Sequence, residues 1–171
     1  QARTDWNNKD EYPITSNWEM LQGNASHNGF QPVILDETNF SFRWNESFAY
    51  NPAGVATGEG KVFVVAANSN SELIALNALD GNEDWRYAFG GLSSSSTPSF
   101  SYGKVFMHSG GHEVTALWAI NADAGNLIFR SAPGGQWSSY SAPAVFENSV
   151  FMSVWYYGCM LVMSVDGETI L

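Results

Sequence analysis

The side chains able to do chemistry in this 171-residue chain are few. It holds three histidines, one cysteine and seven Lys and Arg residues. His108, His112, Trp137, Tyr140, Tyr156, Tyr157 and Arg130 stand out because loop-forming residues surround most of them. His112 and Tyr157 lie 45 residues apart. Histidine or arginine can neutralise a carboxylate. A tyrosine, which ionises near ~10, can accept a proton at neutral pH only when cations lower its pKa. Together such groups could remove a proton next to a carboxylate. His108 and His112 are four apart, but Gly110-Gly111 between them belong to a loop, so the pair is not a helical zinc motif and no metal site is expected. For either histidine the structural alternative is a solvated loop residue. Trp155-Tyr156-Tyr157 also reads as strand packing. Trp137, in Gly134-Gly135-Gln136-Trp137, is harder to place in a core. Arg86 and Arg130 occupy matching places, where surface salt bridging is the default role.

The elements that must position these residues repeat. Lys61-Val62-Phe63, Lys104-Val105-Phe106 and Ser149-Val150-Phe151 are spaced by 43 and 45 residues. Leu76-Asn77-Ala78 returns 44 residues later as Ile120-Asn121-Ala122, and Gly81 returns as Gly125. A period in the mid-forties with several short strands per repeat is the pattern of a β-propeller blade. The expected fold is all-β, with four-stranded antiparallel blades near 52–89, 98–132 and 143–171, preceded by a polar strap over 1–38. Phe40, Phe42 and Trp44 alternate with Ser41, Arg43 and Asn45, which predicts an outer strand over 39–48. About three blades cannot close a ring of four to eight. The expected partners therefore include remaining blades from a longer protein or another piece. Val62, Val64, Leu76, Val105, Ile120, Val150, Phe151 and Val165 should be buried between blades, and Trp85 should dock on a neighbouring blade.

Strand alternation divides the loops between two faces of such a ring. Gly58–Gly60, Asp80–Asn82, Asp123–Gly125 and Asp166-Gly167 fall on one face. The loops near 68–71, 91–97, 108–113, 134–140 and 156–158 fall on the other, which gathers every candidate site residue except Arg130, placed on an outer strand. The net charge of −10 argues against a nucleic-acid partner. The lone Cys159 excludes an intrachain disulfide and a cysteine zinc cluster. No run of eighteen apolar residues is present, so no membrane span is expected. Sequons at Asn24, Asn39 and Asn45 carry little weight in an Asn- and Ser-rich chain.

Leu76-Asn77-Ala78-x-Asp80-Gly81-x-x-x-Trp85, Ala119–Gly125 and Trp18-x-Met20-x-x-Gly23-Asn24 resemble the A-x-D-x-x-T-G-x-x-x-W signature of pyrroloquinoline-quinone-type propeller repeats. Phe129 stands where the second repeat would carry its docking tryptophan. That superfamily includes quinone-dependent dehydrogenases, outer-membrane assembly scaffolds and secreted lyases that cleave ulvan. Resemblance to the lyase branch implies β-elimination on a uronate-containing polysaccharide. His112 would then neutralise the carboxylate and Tyr157 act as base, with His108, Trp137, Tyr140, Tyr156 and Arg130 binding substrate. The alternative is a non-catalytic secreted or periplasmic scaffold propeller binding carbohydrate or protein through its aromatics. Pyrroloquinoline quinone is not expected as a cofactor, because quinone enzymes of the family use adjacent cysteines and a calcium site.

Overall fold

The computed structural model describes residues 17–25, 27, 29–30, 38, 41–66, 71–111, 115–132, 141–154 and 159–168. These form three antiparallel sheets and no α-helix. Blade 1 runs in the order β1 (Pro52–Gly58), β2 (Lys61–Ala66), β3 (Glu72–Asn77), β4 (Glu83–Ala88). In blade 2 the inner strand is broken into β5 (Ser94–Ser95) and β6 (Ser99–Ser101). Both pair with β7 (Lys104–Gly110), and β8 (Ala116–Asn121) and β9 (Leu127–Ser131) follow. Blade 3 comprises β10 (Ala144–Phe146), β11 (Ser149–Val154) and β12 (Cys159–Ser164). All-β blades with an incomplete ring are what the repeat predicted.

The middle strands carry near-continuous apolar runs because a stacked blade is covered on both sides. In β2, Phe63 and Val65 face blade 2, while Val64 and Ala66 face the opposite way. In β7, Val105 and Met107 face blade 1, and Phe106 faces blade 3. The outer strand β4 instead alternates, with Trp85 and Tyr87 half-buried between exposed neighbours. Of the eight residues expected to be buried between blades, Val105, Ile120, Val150 and Val165 are buried there, while Val64 and Leu76 are buried on the other side of blade 1, beneath Trp44 and Phe48. Val62 and Phe151 are half-buried.

Adjacent blades are joined by a recurring contact. Trp85 lays its indole on Gly125 of blade 2 and donates from Nε1 to Ala122 O at 3.0 Å. Trp44 does the same on blade 1, over Gly81, with Nε1 3.1 Å from Ala78 O. Phe129 lies over Gly167 of blade 3. A Cβ on Gly125 would fall 2.6 Å from the Trp85 ring, and its φ of +71° is itself a glycine conformation, so the turn glycine is required twice over.

The strand expected over 39–48 does not form: residues 41–48 carry no ladder. Trp44 still occupies the outer-strand place, but no neighbouring strand is present among the described residues, and an extended segment becomes a strand only through its hydrogen-bonded partner. The N-terminal strap crosses the inner strands instead. Thr57 N of β1 donates to Trp18 O, and Phe100 N of β6 donates to Glu19 O at 2.6 Å. Met20 is buried against Phe106 and the blade 3 core. Residues 17–20 thus tie blades 1 and 2 along their inner edge.

Candidate functional site

The turn face is tied in register. Ala78 N donates to Gly60 O, Ala122 N to Gly103 O, and Val165 N to Asn148 O, at 2.9, 2.9 and 3.0 Å. These bonds place the β1–β2 and β3–β4 turns, and their counterparts, on one face. Two ion pairs cross between blades there. Lys61 Nζ lies 3.4 Å from Asp123 Oδ1, and Lys104 Nζ lies 2.6 Å from Asp166 Oδ1. Lys104 also donates to Val165 O at 3.0 Å. Both lysine stems are largely covered while the carboxylates stay exposed. These pairs have a signal in the sequence: a lysine opens two of the repeats, at Lys61 and Lys104, and an aspartate stands in all three of the turns, at Asp80, Asp123 and Asp166.

Of the predicted site residues, only His108 and Arg130 lie among the described residues. His112, Trp137, Tyr140, Tyr156 and Tyr157 fall outside them, so no convergence of His112 with Tyr157 is described. His108 is not in a loop. It belongs to β7, opposite Leu117, and is 2% exposed. Strand alternation puts it on the face of Phe106, toward blade 3. Its backbone exchanges bonds with Ser96, His108 N donating to Ser96 Oγ at 3.0 Å and Ser96 N to His108 O at 2.9 Å. Its Nε2 is buried without a partner. Burial pushes the imidazole down to about 4, so it is neutral at physiological pH. The ladder extends to Gly110 because β5 pairs with Ser109 and Gly110, which the Gly-rich sequence concealed. A neutral histidine sealed in an interblade core cannot neutralise a substrate carboxylate.

Arg130 is exposed at the end of β9 and stacks its guanidinium 5.0 Å over the Trp118 ring. Trp118 is buried and donates from Nε1 to Ser109 Oγ at 3.0 Å. Arg86, its counterpart, is clamped: Nη1 lies 2.6 Å from Glu72 and Nη2 2.6 Å from Glu83. Hydrogen bonding to Arg86 holds the Glu83 carboxyl below its ordinary range. The salt-bridging reading is right for Arg86, whereas Arg130 spends its charge on an aromatic face.

A groove of about 290 Å³ lies where residues 46–50 pass over blade 1. Phe48, Ala66, Ile74 and Leu76 give it an apolar floor, and Glu72 and Arg86 stand at its edge. This is the uncovered side of blade 1, and it was not among the predicted sites. Among the described residues no three His, Cys, Asp or Glu side chains are grouped to hold a metal ion, and no helix is long and apolar enough to cross a membrane.

No curated protein matches the sequence. Solved structures share the fold at low identity. A europium-containing methanol dehydrogenase superposes with a TM-score of 0.70 at 15% identity, over 91% of this chain and 31% of that one. The quinohemoprotein alcohol dehydrogenase from Comamonas testosteroni gives 0.70 at 18% identity, over 95% and 28%. BamB from Moraxella catarrhalis gives 0.55 at 16% identity, over 75% and 38%. This chain therefore spans under two-fifths of each of these structures. The expectation of an ulvan-type lyase is overturned. These relatives are alcohol dehydrogenases and an assembly protein, and His108, one of its substrate-binding residues, is buried in a joint. The family described as outer membrane protein assembly factor BamB matches residues 31–168, most of the chain. With its repeating turn glycines and docked tryptophans, the chain belongs to this family of pyrroloquinoline-quinone-type propeller repeats.

Proposed function

We propose that the chain is part of a non-catalytic scaffold propeller that binds protein, acting in the periplasm or otherwise outside the cytoplasm. One observation carries this reading: among the described residues, the side chains best suited to chemistry are committed to structural contacts, some within a blade and some between blades. His108 is sealed in a core, Arg130 covers Trp118, Arg86 is clamped by two glutamates, and Lys61 and Lys104 bridge blades. The name of the matching family, an outer membrane protein assembly factor, supports the protein-binding role and the location.

The alcohol dehydrogenases of the same fold raise the question of a quinone. The residues of this chain do not fit one by the family's pattern. Cys159 is the single cysteine, so no adjacent pair exists, and the described residues offer no cluster for the accompanying metal. The test is to add pyrroloquinoline quinone with calcium or a lanthanide to the purified chain and follow alcohol-dependent dye reduction. The scaffold reading expects no turnover and no quenching of tryptophan fluorescence by the quinone. Saturable quenching with turnover would replace it by the dehydrogenase reading.

A further inference from the structure

The outer strands of blades 1 and 2 hold the same place in the repeat and present different edges. In β4 the first two residues are Glu83 and Asp84, both exposed, and Arg86 is clamped by Glu72 and Glu83. In β9 the same two places hold Leu127 and Ile128, 40% and 41% exposed. Arg130 corresponds to Arg86, but the counterparts of the two clamping glutamates are Ala116 and Leu127. Stacking on Trp118 uses the flat face of the Arg130 guanidinium. Its N–H fork meets no carboxylate among the described residues.

β9 ends its sheet, pairing only with β8 among the described residues, so its outward backbone groups are open. Charged side chains guard such an edge, and β4 carries three where β9 carries one. Blades 1 and 3 flank blade 2, with Trp85 docked on Gly125 and Phe129 on Gly167, so blades stacked beyond them do not reach this rim. Leu127 lies opposite Ile120 and Arg130 opposite Trp118, and both partners face blade 1. The irregular register of β9 thus brings Leu127 and Arg130 to one face although they are three residues apart.

We propose that β9 is a docking edge for an extended, acidic segment of another protein, which adds to blade 2 as a further strand. The segment carries a carboxylate that pairs with the Arg130 fork. Two positions away it carries an apolar side chain that covers Leu127, the interval that Trp118 and Ile120 keep on β8. Backbone pairing supplies affinity, and the two side chains supply selection. This assignment deepens the scaffold reading and rests on its protein-binding half.

Fluorescence anisotropy with short labelled peptides tests it. One peptide alternates valine and threonine with a single glutamate in a valine place, and the other has glutamine there. The glutamate peptide should bind saturably and about threefold more tightly than the glutamine peptide, as expected of an exposed ion pair. Arg130→Gln should erase that preference. Leu127→Glu, which sets beside Arg130 the clamp that Glu83 provides to Arg86, should abolish binding while leaving the thermal transition in place. Absence of saturable binding, a preference that survives Arg130→Gln, equal binding of the two peptides, or binding undiminished in folded Leu127→Glu overturns the proposal. Self-association of the chain that Leu127→Glu dissolves gives this edge to a second copy and overturns it too. Failure of the peptides removes this edge and leaves the scaffold reading standing, whereas quinone-dependent turnover removes that reading by an assay that does not involve β9.

Discussion

The joint between blades 1 and 2 and the joint between blades 2 and 3 are made by the same repeat with different chemistry. In the first, Trp85 covers Gly125 and donates to Ala122 O, and Phe63, Phe89, Phe100 and Trp118 form an aromatic core. Phe63 stacks on Phe100 at 5.6 Å, and Phe89 meets Trp118 edge-on at 5.1 Å. In the second, Phe129 covers Gly167 with no N–H to donate, and Met20, Met152 and Met163 fill much of the core. His108 is sealed on this side with an unpartnered nitrogen, where blade 1 carries Val65. The contact positions are set by backbone geometry, and the side chains vary within them. Thioethers fill space adaptably but specify it less than stacked rings do, so the second joint is the softer one and the one that responds to acid.

The largest effect that would break this contrast comes from the docking rings. Trp85→Ala should cost about 3 kcal/mol, the low end for a large aromatic because the indole is half-buried, and Phe129→Ala about 2 kcal/mol. Urea unfolding of the two variants checks the order. A loss for Phe129→Ala equal to or above that for Trp85→Ala would show the joints to be equivalent.

Acid sharpens the contrast next. His108 titrates near 4 in the folded chain, against an ordinary value of 6.5, so the unfolded chain takes up the proton first. Its neutral form contributes stability that is complete above the unfolded value and declines as pH falls toward the folded one. Between about pH 7 and about pH 5 the loss is about 2 kcal/mol. His108→Leu should remove that part of the pH dependence and cost nothing at neutral pH, since no hydrogen bond to Nε2 is lost. Urea midpoints of both chains at the two pH values decide it, and an undiminished acid loss in His108→Leu would place the sensitive group elsewhere.

Exchanging the docking rings should have a smaller effect. Trp85→Phe removes one hydrogen bond and should cost about 1 kcal/mol, and Phe129→Trp should gain a similar amount if Nε1 reaches Val165 O, the counterpart of Ala122 O. Opposite signs in thermal unfolding are the expected result. The ion pairs should matter least. Lys104→Met and Lys61→Met should each shift stability by less than about 1 kcal/mol, with Lys104 the larger because it also caps Val165 O. That difference should shrink in high salt.

The sequence by itself determined the blades, because a repeat of 43 to 45 residues with paired apolar strands and turn glycines has few ways to bury both sides of each sheet. Trp85 as a docking residue and Arg86 as a salt-bridging one were legible for the same reason: their roles follow from position within the repeat. The candidate site was far less legible. His108 looked like a loop residue because Ser109-Gly110-Gly111 follow it, yet pairing with Ser94 and Ser95 extends β7 through it. Only the tertiary structure could show that, since a strand's end is set by its neighbour's reach and not by its own residues. Residues 41–48 failed the opposite way, alternating as a strand should but finding no partner among the described residues. The destination of Arg130 depended on Trp118, twelve residues away in sequence and placed beneath it by cross-strand register. Which faces are covered, and which charges are spent in covering them, was decided by the packing of one blade against the next.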